Sequence, residues 1–221
     1  AGLAVDNEVR NNTTGIYVSA GGFVQGNRIY SNQTGLEIGV SSDSTRVFNN
    51  LIYANTTQGI LAANGGVPLY SEIRNNTVWQ ITGDAVRAPG NNRGIHLLNN
   101  LFHVEAGYVL NIDSGSQNGF TSDYNLFHVT GTGRAVSWGG AVENTWLEWR
   151  IDQGYDVNSS AANPLMGDID GADNILGGTG GADDDFRPLA GSPTTDAGDP
   201  NTYFLAEPGP NGGRGNIGHT G

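Results

Sequence analysis

A short phrase built on asparagine recurs along the first two thirds of the chain, and it constrains the fold more than any other feature. The copies begin at Asn7, Asn27, Asn50, Asn76, Asn100 and Asn125. Their spacings are 20, 23, 26, 24 and 25 residues. Self-similarity with a period of about 20–50 residues is typical of repeat proteins, in which each copy forms one unit that stacks on the next.

Within each copy, apolar side chains alternate with polar ones over short runs and many are β-branched, which is typical of strands and not of helices. One inward column is predicted to contain Val9, Ile29, Ile52, Val78, Phe102 and Phe127. A second is predicted to contain Ile16, Leu36, Ile60, Ala85, Tyr108 and Ala135. Because one copy cannot bury both columns, we expect the copies to stack at the strand spacing of about 4.8 Å. The pattern therefore predicts an all-β solenoid of about six rungs.

The repeated Asn has a structural explanation. Asn tolerates the left-handed αL conformation better than most residues, so it suits a turn before a strand. Its side-chain amide can also bond to the equivalent Asn in the rungs above and below. We therefore predict a column of stacked asparagines in αL turns and assign it no functional role.

These phrases and the C-terminal third resemble the right-handed parallel β-helix repeat proteins, the broad pectate-lyase-like superfamily of bacterial secreted and surface proteins. The resemblance covers nearly the whole chain and implies a right-handed parallel β-helix in an extracellular or cell-surface protein. It does not imply one activity, because the superfamily includes lyases, hydrolases, epimerases, esterases, phage tailspikes and adhesins.

The two ends of the solenoid lead to separate expectations. We expect β-helix rungs over 1–140 and an irregular capping segment over 141–221 within the same domain. The resemblance implies a short helix near Thr145 to Arg150, with Trp146, Leu147 and Trp149 covering the C-terminal opening of the core. At the other end, the first rung begins so close to Ala1 that strand groups stay uncapped. We expect an upstream domain or a docking chain there.

The charge of the chain narrows the choice of partners. The 22 acidic residues outnumber the 10 basic ones, all of which are arginine, and the net charge is -12. This balance disfavours nucleic acid and anionic membrane surfaces, and no apolar run is long enough for membrane insertion. It is compatible with divalent cations and with neutral or cationic ligands. The chain has no cysteine, which excludes disulfides and thiolate metal sites.

One outward position carries a ring in most rungs. The residues at this position are Arg10, Tyr30, Tyr53, Trp79, His103 and His128. A column of exposed rings binds the apolar faces of sugars, so Tyr30, Tyr53 and Trp79 are candidates for binding a polysaccharide or a surface glycan. The alternative is that the rings only stack on one another. His103 and His128 are a candidate metal or acid/base pair, although drift within the repeat explains them equally well.

An acidic, glycine-rich segment follows the rungs. Its aspartates are Asp168, Asp170, Asp173, Asp183, Asp184 and Asp185. Carboxylates on a flexible loop are suitable ligands for Ca²⁺, so these residues are a candidate calcium site. The segment is not an EF-hand loop, since Ala172 stands at the fifth position. The alternative is a solvated acidic loop without metal.

The catalytic phrases of the superfamily's lyases, polygalacturonases and epimerases are absent. The best remaining catalytic candidates are Asp84, Arg87, His103 and His128, with His96 and Asp113 placed by the same alignment on neighbouring rungs. Asp84 stands out because other rungs are aligned there with Gly. A carboxylate, an arginine and a histidine are suited to act as base, anion clamp and acid.

Three functions remain open at this point. The first is a noncatalytic extracellular module that presents a side face to a carbohydrate or to a partner protein. The second is a polysaccharide-degrading enzyme, a lyase or a glycoside hydrolase, with a groove of clustered Asp, Arg and His. The third is a structural spacer or appendage subunit, which needs neither feature.

Overall fold

The computed structural model describes residues 2–39, 44–63, 68–204, 207 and 212–221. Over these residues the chain winds through six rungs, and each rung contributes one strand to each of three sheets. The prediction of an all-β solenoid of about six stacked rungs is confirmed. One α-helix, α1 (Trp146–Gln153), and a short 3-10 helix (Ser114–Ser116) are found in the described parts of the chain.

We name the sheets A, B and C in the order in which each rung visits them. Sheet A contains β1 (Leu3–Val5), β4 (Phe23–Gln25), β7 (Thr45–Phe48), β10 (Pro68–Arg74), β13 (Arg93–Leu98) and β16 (Thr121–Asp123). Sheet B contains β2 (Glu8–Arg10), β5 (Arg28–Tyr30), β8 (Leu51–Tyr53), β11 (Thr77–Gln80), β14 (Leu101–Val104), β17 (Leu126–Val129) and β20 (Ser160–Ala161). Sheet C contains β3 (Thr14–Val18), β6 (Thr34–Ile38), β9 (Gln58–Ala62), β12 (Asp84–Ala88), β15 (Tyr108–Ile112), β18 (Arg134–Trp138) and β19 (Ala141–Glu143). Only the pairing of β18 with β19 is antiparallel among these strands.

The first predicted inward column is confirmed by the register of sheet B. Val78 pairs with Ile52 on one side and with Phe102 on the other, and Phe102 pairs with Phe127. Most of this column is inaccessible to solvent. Stacked rungs therefore bury apolar area that one rung would leave in water.

The second predicted column is wrong beyond the third rung. The observed column continues from Ile60 to Val86, Leu110 and Val136, and not to Ala85, Tyr108 and Ala135. The shift arises because Asp84 pairs with Gln58 and not with Gly59. Asp84 is therefore not at a glycine position, and its equivalents in sheet C include Gln58 and Thr34.

The asparagine ladder is confirmed, with one correction. Nδ2 of Asn50 donates to Oδ1 of Asn76 at 2.9 Å, and Nδ2 of Asn76 donates to Oδ1 of Asn100 at 3.1 Å. The αL conformation, however, belongs to the residue before each ladder position, with φ of 53° at Asn49 and 54° at Asn75. The ladder side chains point into the bend between sheets A and B, where they satisfy buried backbone groups.

The helix predicted near Thr145 to Arg150 is confirmed as α1. Thr145 and Glu148 form a capping box, and Gly154 ends the helix in the αL conformation. Trp149 is fully buried and covers the open end of the core, as predicted. Leu147 does not, because it lies on the outer face of the helix and is 53% exposed.

The rest of the C-terminal segment does not cover the end of the solenoid. Residues 162–221, which we call the C-terminal strap, run back over the outer face of sheet B in their described parts. Phe186 and Ile217 are buried against this face, where Tyr53, Trp79 and Leu101 lie. Among the described residues, 141–161 close the last rung. No helix in the described ranges combines the length and apolar character required to span a membrane.

Candidate functional site

The predicted aromatic platform is present as a column but is not open to a ligand. The rings of Tyr30 and Tyr53 stack at 4.9 Å with an angle of 16°. Both side chains have no solvent exposure, and Trp79 is 6% exposed, because Phe186 of the strap packs against Tyr53 and Trp79. The prediction that these three rings bind sugar on an exposed face is therefore wrong. The side chains point outward from the rungs, as predicted, but into a second apolar core.

Polar contacts hold the strap on this column. The hydroxyl of Tyr53 donates to the carbonyl of Gly181 at 2.8 Å, and the Arg28 guanidinium donates to the carbonyl of Asp184 at 2.7 Å. The carboxylate of Asp184 accepts from the backbone N–H of Gly177 at 2.8 Å. Burial raises the pKa of Asp184. These contacts assign Asp184 to the attachment of the strap.

The predicted histidine pair lies at the end of the same column. Nδ1 of His103 is 3.0 Å from Nδ1 of His128, and the His103 ring stacks on Trp79 at 3.8 Å. Burial lowers the pKa of His103 to about 3 and also lowers the pKa of His128. Both rings are therefore neutral near neutral pH. No group of three His, Asp or Glu side chains able to hold a metal is formed by the described residues.

The predicted catalytic constellation is dispersed over three faces. Asp84, Arg87 and Asp113 lie on or beside sheet C, His96 lies on sheet A and His103 lies on sheet B. They were grouped by rung number alone, but successive strands of one rung face different directions. Asp84, Arg87, His103 and His128 therefore do not form one site.

Asp84 and Arg87 instead connect neighbouring rungs. The two Asp84 oxygens accept from the backbone N–H of Tyr108 at 2.9 Å and from Nδ2 of Asn111 at 2.8 Å. Arg87 forms an ion pair with Asp113 at 2.7 Å. Burial raises the pKa of Asp84, and the Arg87 hydrogen bond lowers that of Asp113. These contacts are sufficient to explain the residues structurally.

The six aspartates of the acidic segment have different surroundings. Asp184 is buried, Asp185 forms an ion pair with Arg187 at 2.6 Å, and Asp183 accepts from the backbone N–H of Ala172 at 2.9 Å. Asp173 accepts from the backbone N–H of Ile175 at 2.9 Å. The remaining two, Asp168 and Asp170, lie together. The pKa of Asp168 is raised, mainly by partial desolvation and further by the neighbouring carboxylates of Asp170, Asp183 and Asp185. The calcium site stays a prediction.

An open cleft of about 440 Å³ lies on sheet A, and none of its lining residues belongs to the described parts of the strap. Its floor consists of outward side chains in two adjacent columns. The first column contains Arg46, Glu72, His96 and Thr121. The second contains Phe48, Arg74, Leu98 and Asp123. The cleft itself is lined from the rungs of β10, β13 and β16, which is about 10 Å at the strand spacing. Arg46 and Phe48 continue the two columns beyond it. We call this feature the side cleft.

Aromatic and charged groups lie in the side cleft and directly beside it. The rings of Tyr70 and His96 are parallel within 6°, with centroids 6.1 Å apart, and Tyr70 is 62% exposed. Nδ1 of His96 is 2.7 Å from the Thr121 hydroxyl. Glu72 lies 3.3 Å from Arg74 and 3.9 Å from Arg46. The floor therefore combines a flat ring surface with hydrogen-bonding groups.

The end cap forms one wall of the side cleft. Residues 154–157 contribute this wall directly after α1. Asn158 fixes the wall, since its backbone N–H and Nδ2 each donate to Asp123 at 2.8 Å. On the core side of the same loop, the buried Trp149 indole N–H donates to Oδ2 of the buried Asp156 at 2.8 Å. The cleft is thus preformed by rigid elements.

The side cleft was not predicted, because its strands precede the repeated Asn and lie outside the phrase that carries the repeat. The strand before the Asn carries a short alternation that identifies the face. In β10, Glu72 and Arg74 flank the inward Ile73, and in β16, Thr121 and Asp123 flank Ser122. This alternation was a usable signal for outward polar columns.

Three sheets of parallel strands wound around one apolar core define the class of the parallel β-helix solenoids. Residues 3–147 match the family described as Right handed beta helix region, so the chain belongs to this family. The match covers well over half of the 221 residues and confirms the resemblance noted in the sequence. No curated protein and no solved structure gave a match.

Proposed function

We propose that this chain is a noncatalytic β-helix module that binds carbohydrate in the side cleft, outside the cell or at its surface. The observation that supports the proposal is the exposed Tyr70 ring, which lies parallel to the ring of His96, a residue of the polar cleft floor. A flat ring binds the apolar face of a sugar, and amphipathic rings lose little entropy on binding.

The polar groups of the cleft suit hydroxyl recognition. Thr121 and His96 can donate or accept, Glu72 and Asp123 accept, and Arg74 donates. The cleft volume of about 440 Å³ lies in the range of ligand pockets, about 300–1,000 Å³. A preformed site lowers the entropy that binding costs. The strongly acidic chain favours neutral or cationic glycans over acidic ones.

Binding is better supported than catalysis because the carboxylates in the cleft are already paired. Glu72 is held by two arginines, and both oxygens of Asp123 accept hydrogen bonds from Asn158. A general acid or base needs a group that is free to exchange a proton with the substrate. Outside the cleft, Asp84 is bonded through both oxygens.

The proposal is tested with a panel of immobilised polysaccharides. The panel contains neutral xylan, mannan and cellulose, cationic chitosan and anionic alginate. Retention of the full chain and the appearance of new reducing or unsaturated ends are measured on the same samples. We expect retention on a neutral or cationic member without new ends. New ends would indicate a polysaccharide-degrading enzyme instead, and no retention on any member would favour a structural spacer.

A further inference from the structure

A second concave feature lies at the C-terminal end of sheet B, where the start of α1 meets β17 and β20. Its volume is about 400 Å³. The apolar part of the lining includes Val129 and Trp146, and the polar part includes His128, Asn144 and Asn163. None of the residues that line it is charged. We call it the end pocket.

The geometry of the two histidines defines which nitrogen of His128 carries its proton. Nδ1 of His103 is 3.0 Å from the carbonyl oxygen of residue 128 as well as 3.0 Å from Nδ1 of His128. A carbonyl oxygen only accepts, so Nδ1 of His103 is the donor. Nδ1 of His128 faces this donor and therefore carries no proton. In neutral His128 the proton is on Nε2, which is left to donate elsewhere.

The two asparagines supply further hydrogen-bonding groups. The Asn144 side chain is exposed and makes no hydrogen bond to any described residue, although its backbone takes part in the cap of α1. Asn163 accepts from the backbone N–H of Leu165 at 2.9 Å through Oδ1, which leaves its NH₂ group available. Both amides line the end pocket beside the Trp146 ring.

Trp146 is held in place by contacts outside the pocket. Its indole N–H donates to the carbonyl oxygen of Asp156 at 3.2 Å, and the Arg150 guanidinium lies 5.4 Å from the ring centre. The ring is therefore oriented before any ligand arrives. An oriented aromatic ring with neutral donors and acceptors around it is suited to a small ring that has an apolar face and hydroxyl groups at its edge.

We propose that the end pocket binds a single neutral sugar ring, with Trp146 against its apolar face and its hydroxyls bonded to His128 Nε2–H, Asn144 and Asn163. This site is separate from the side cleft, since the end pocket lies on sheet B, whereas the cleft lies on sheet A and crosses three rungs. It does not depend on glycan binding in the cleft. His103 is a positioning residue here, because it acts through the tautomer of His128.

The test is a titration of the full ¹⁵N-labelled chain with methyl glycosides of glucose, galactose, mannose and N-acetylglucosamine. Imidazole ¹⁵N shifts are followed for His128 and, as an internal control, for His96 in the side cleft. We expect at least one glycoside to shift Nε2 of His128 in a saturable way while His96 stays unchanged. Before titration, Nε2 of His128 should carry the proton.

Matched variants distinguish the pocket from nonspecific binding. Asn144→Ala and His128→Phe should each weaken binding about tenfold, as expected for one lost hydrogen bond of about 1.4 kcal/mol. His128→Gln retains an N–H donor and should restore most of the affinity lost in His128→Phe. Asn118→Ala, which changes an exposed amide that does not line the pocket, should leave the affinity unchanged. The proposal is overturned if no glycoside shifts His128, if Asn144→Ala and Asn118→Ala bind alike, or if Nδ1 of His128 carries the proton.

Discussion

Trp149 donates its indole N–H to Oδ2 of Asp156 at 2.8 Å, and both side chains are almost completely inaccessible to solvent. Oδ1 of the same carboxylate accepts from Nδ2 of Asn125 at 2.9 Å and from the Ser159 hydroxyl at 2.6 Å. Asp156 therefore joins the last ladder asparagine to the helix that closes the core. It also belongs to the wall of the side cleft, so the end cap, the ladder and the cleft depend on one another.

Replacement of Asp156 is expected to weaken the whole solenoid. Asp156→Ala removes the acceptor of the buried Trp149 N–H and Ser159 hydroxyl and one acceptor of the Asn125 amide, which keeps Ser122 Oγ at 3.0 Å. We expect the free energy of unfolding to fall by about 3 kcal/mol. Urea denaturation followed by tryptophan fluorescence measures the change. Asp152→Ala, an exposed carboxylate on α1, is the matched control and should stay within about 0.5 kcal/mol of the parent chain. Equal effects of the two variants would contradict this assignment.

In the asparagine ladder, we expect a buried member to contribute more to stability than an exposed member. Asn76 has no solvent exposure, and its Nδ2 donates to the carbonyls of Val47 and Arg74 in addition to Asn100. We expect Asn76→Ala to lower the free energy of unfolding by about 2–3 kcal/mol, because several buried groups lose their partners. Asn7→Ala changes an exposed member of the same ladder and should cost clearly less. Thermal and urea unfolding of both variants measure the difference, and a larger loss for Asn7→Ala would refute the burial argument.

Stability is expected to fall in mild acid because of His103. Its folded pKa of about 3 lies below the ordinary value of 6.5, so between these values the unfolded chain binds the proton and the folded chain does not. The stabilisation is present above pH 6.5 and is lost as the pH falls toward 3. At pH 5 the loss from this group is about 2 kcal/mol. The His103→Phe variant should show a shallower decline of unfolding free energy between pH 7 and pH 5, and an unchanged decline would exclude His103 as the cause.

Calcium binding by the acidic segment can be tested through stability. If Ca²⁺ is held by Asp168, Asp170 and their neighbours in the folded chain, removal of Ca²⁺ with EDTA should lower Tm, since a ligand bound only by the folded state stabilises it. Readdition of Ca²⁺ should restore Tm, and Asp168→Asn should reduce the shift. The prediction fails if Tm is the same with EDTA and with excess Ca²⁺.

The parts of the fold that repeat could be predicted from the sequence, and the parts that do not repeat could not. The asparagine ladder and the column through Ile52 and Phe102 could be predicted from the spacing of residues within each phrase. The register of sheet B keeps equivalent residues of successive rungs side by side. The second column was misaligned because Asp84 stands one residue before the position that the spacing suggested. The cover over Tyr53 depends on Phe186, which is more than a hundred residues away and carries no repeat signal.

The candidate site, too, could be predicted from the sequence only in part. Alternation correctly identified Tyr30, Tyr53 and Trp79 as outward side chains, but exposure depends on what else packs on that face. Conversely, Tyr70 lies before the repeated phrase and carries no repeat signal, and His96 was predicted only as a neighbour of the catalytic candidates. Their proximity results from the pairing of β10 with β13, which a single sequence shows only indirectly.

The most direct test of carbohydrate binding in the side cleft compares two exposed tyrosines. Tyr70 lies parallel to the cleft residue His96 and is 62% exposed, and Tyr203 on the strap is 79% exposed. Affinity for the retained polysaccharide is measured by isothermal titration calorimetry for Tyr70→Ala, Tyr203→Ala and the parent chain. We predict that Tyr70→Ala binds about tenfold or more weakly, which corresponds to about 1.4 kcal/mol of lost ring contact, while Tyr203→Ala binds like the parent. Equal affinity of all three chains would contradict the assignment of the side cleft as the binding site.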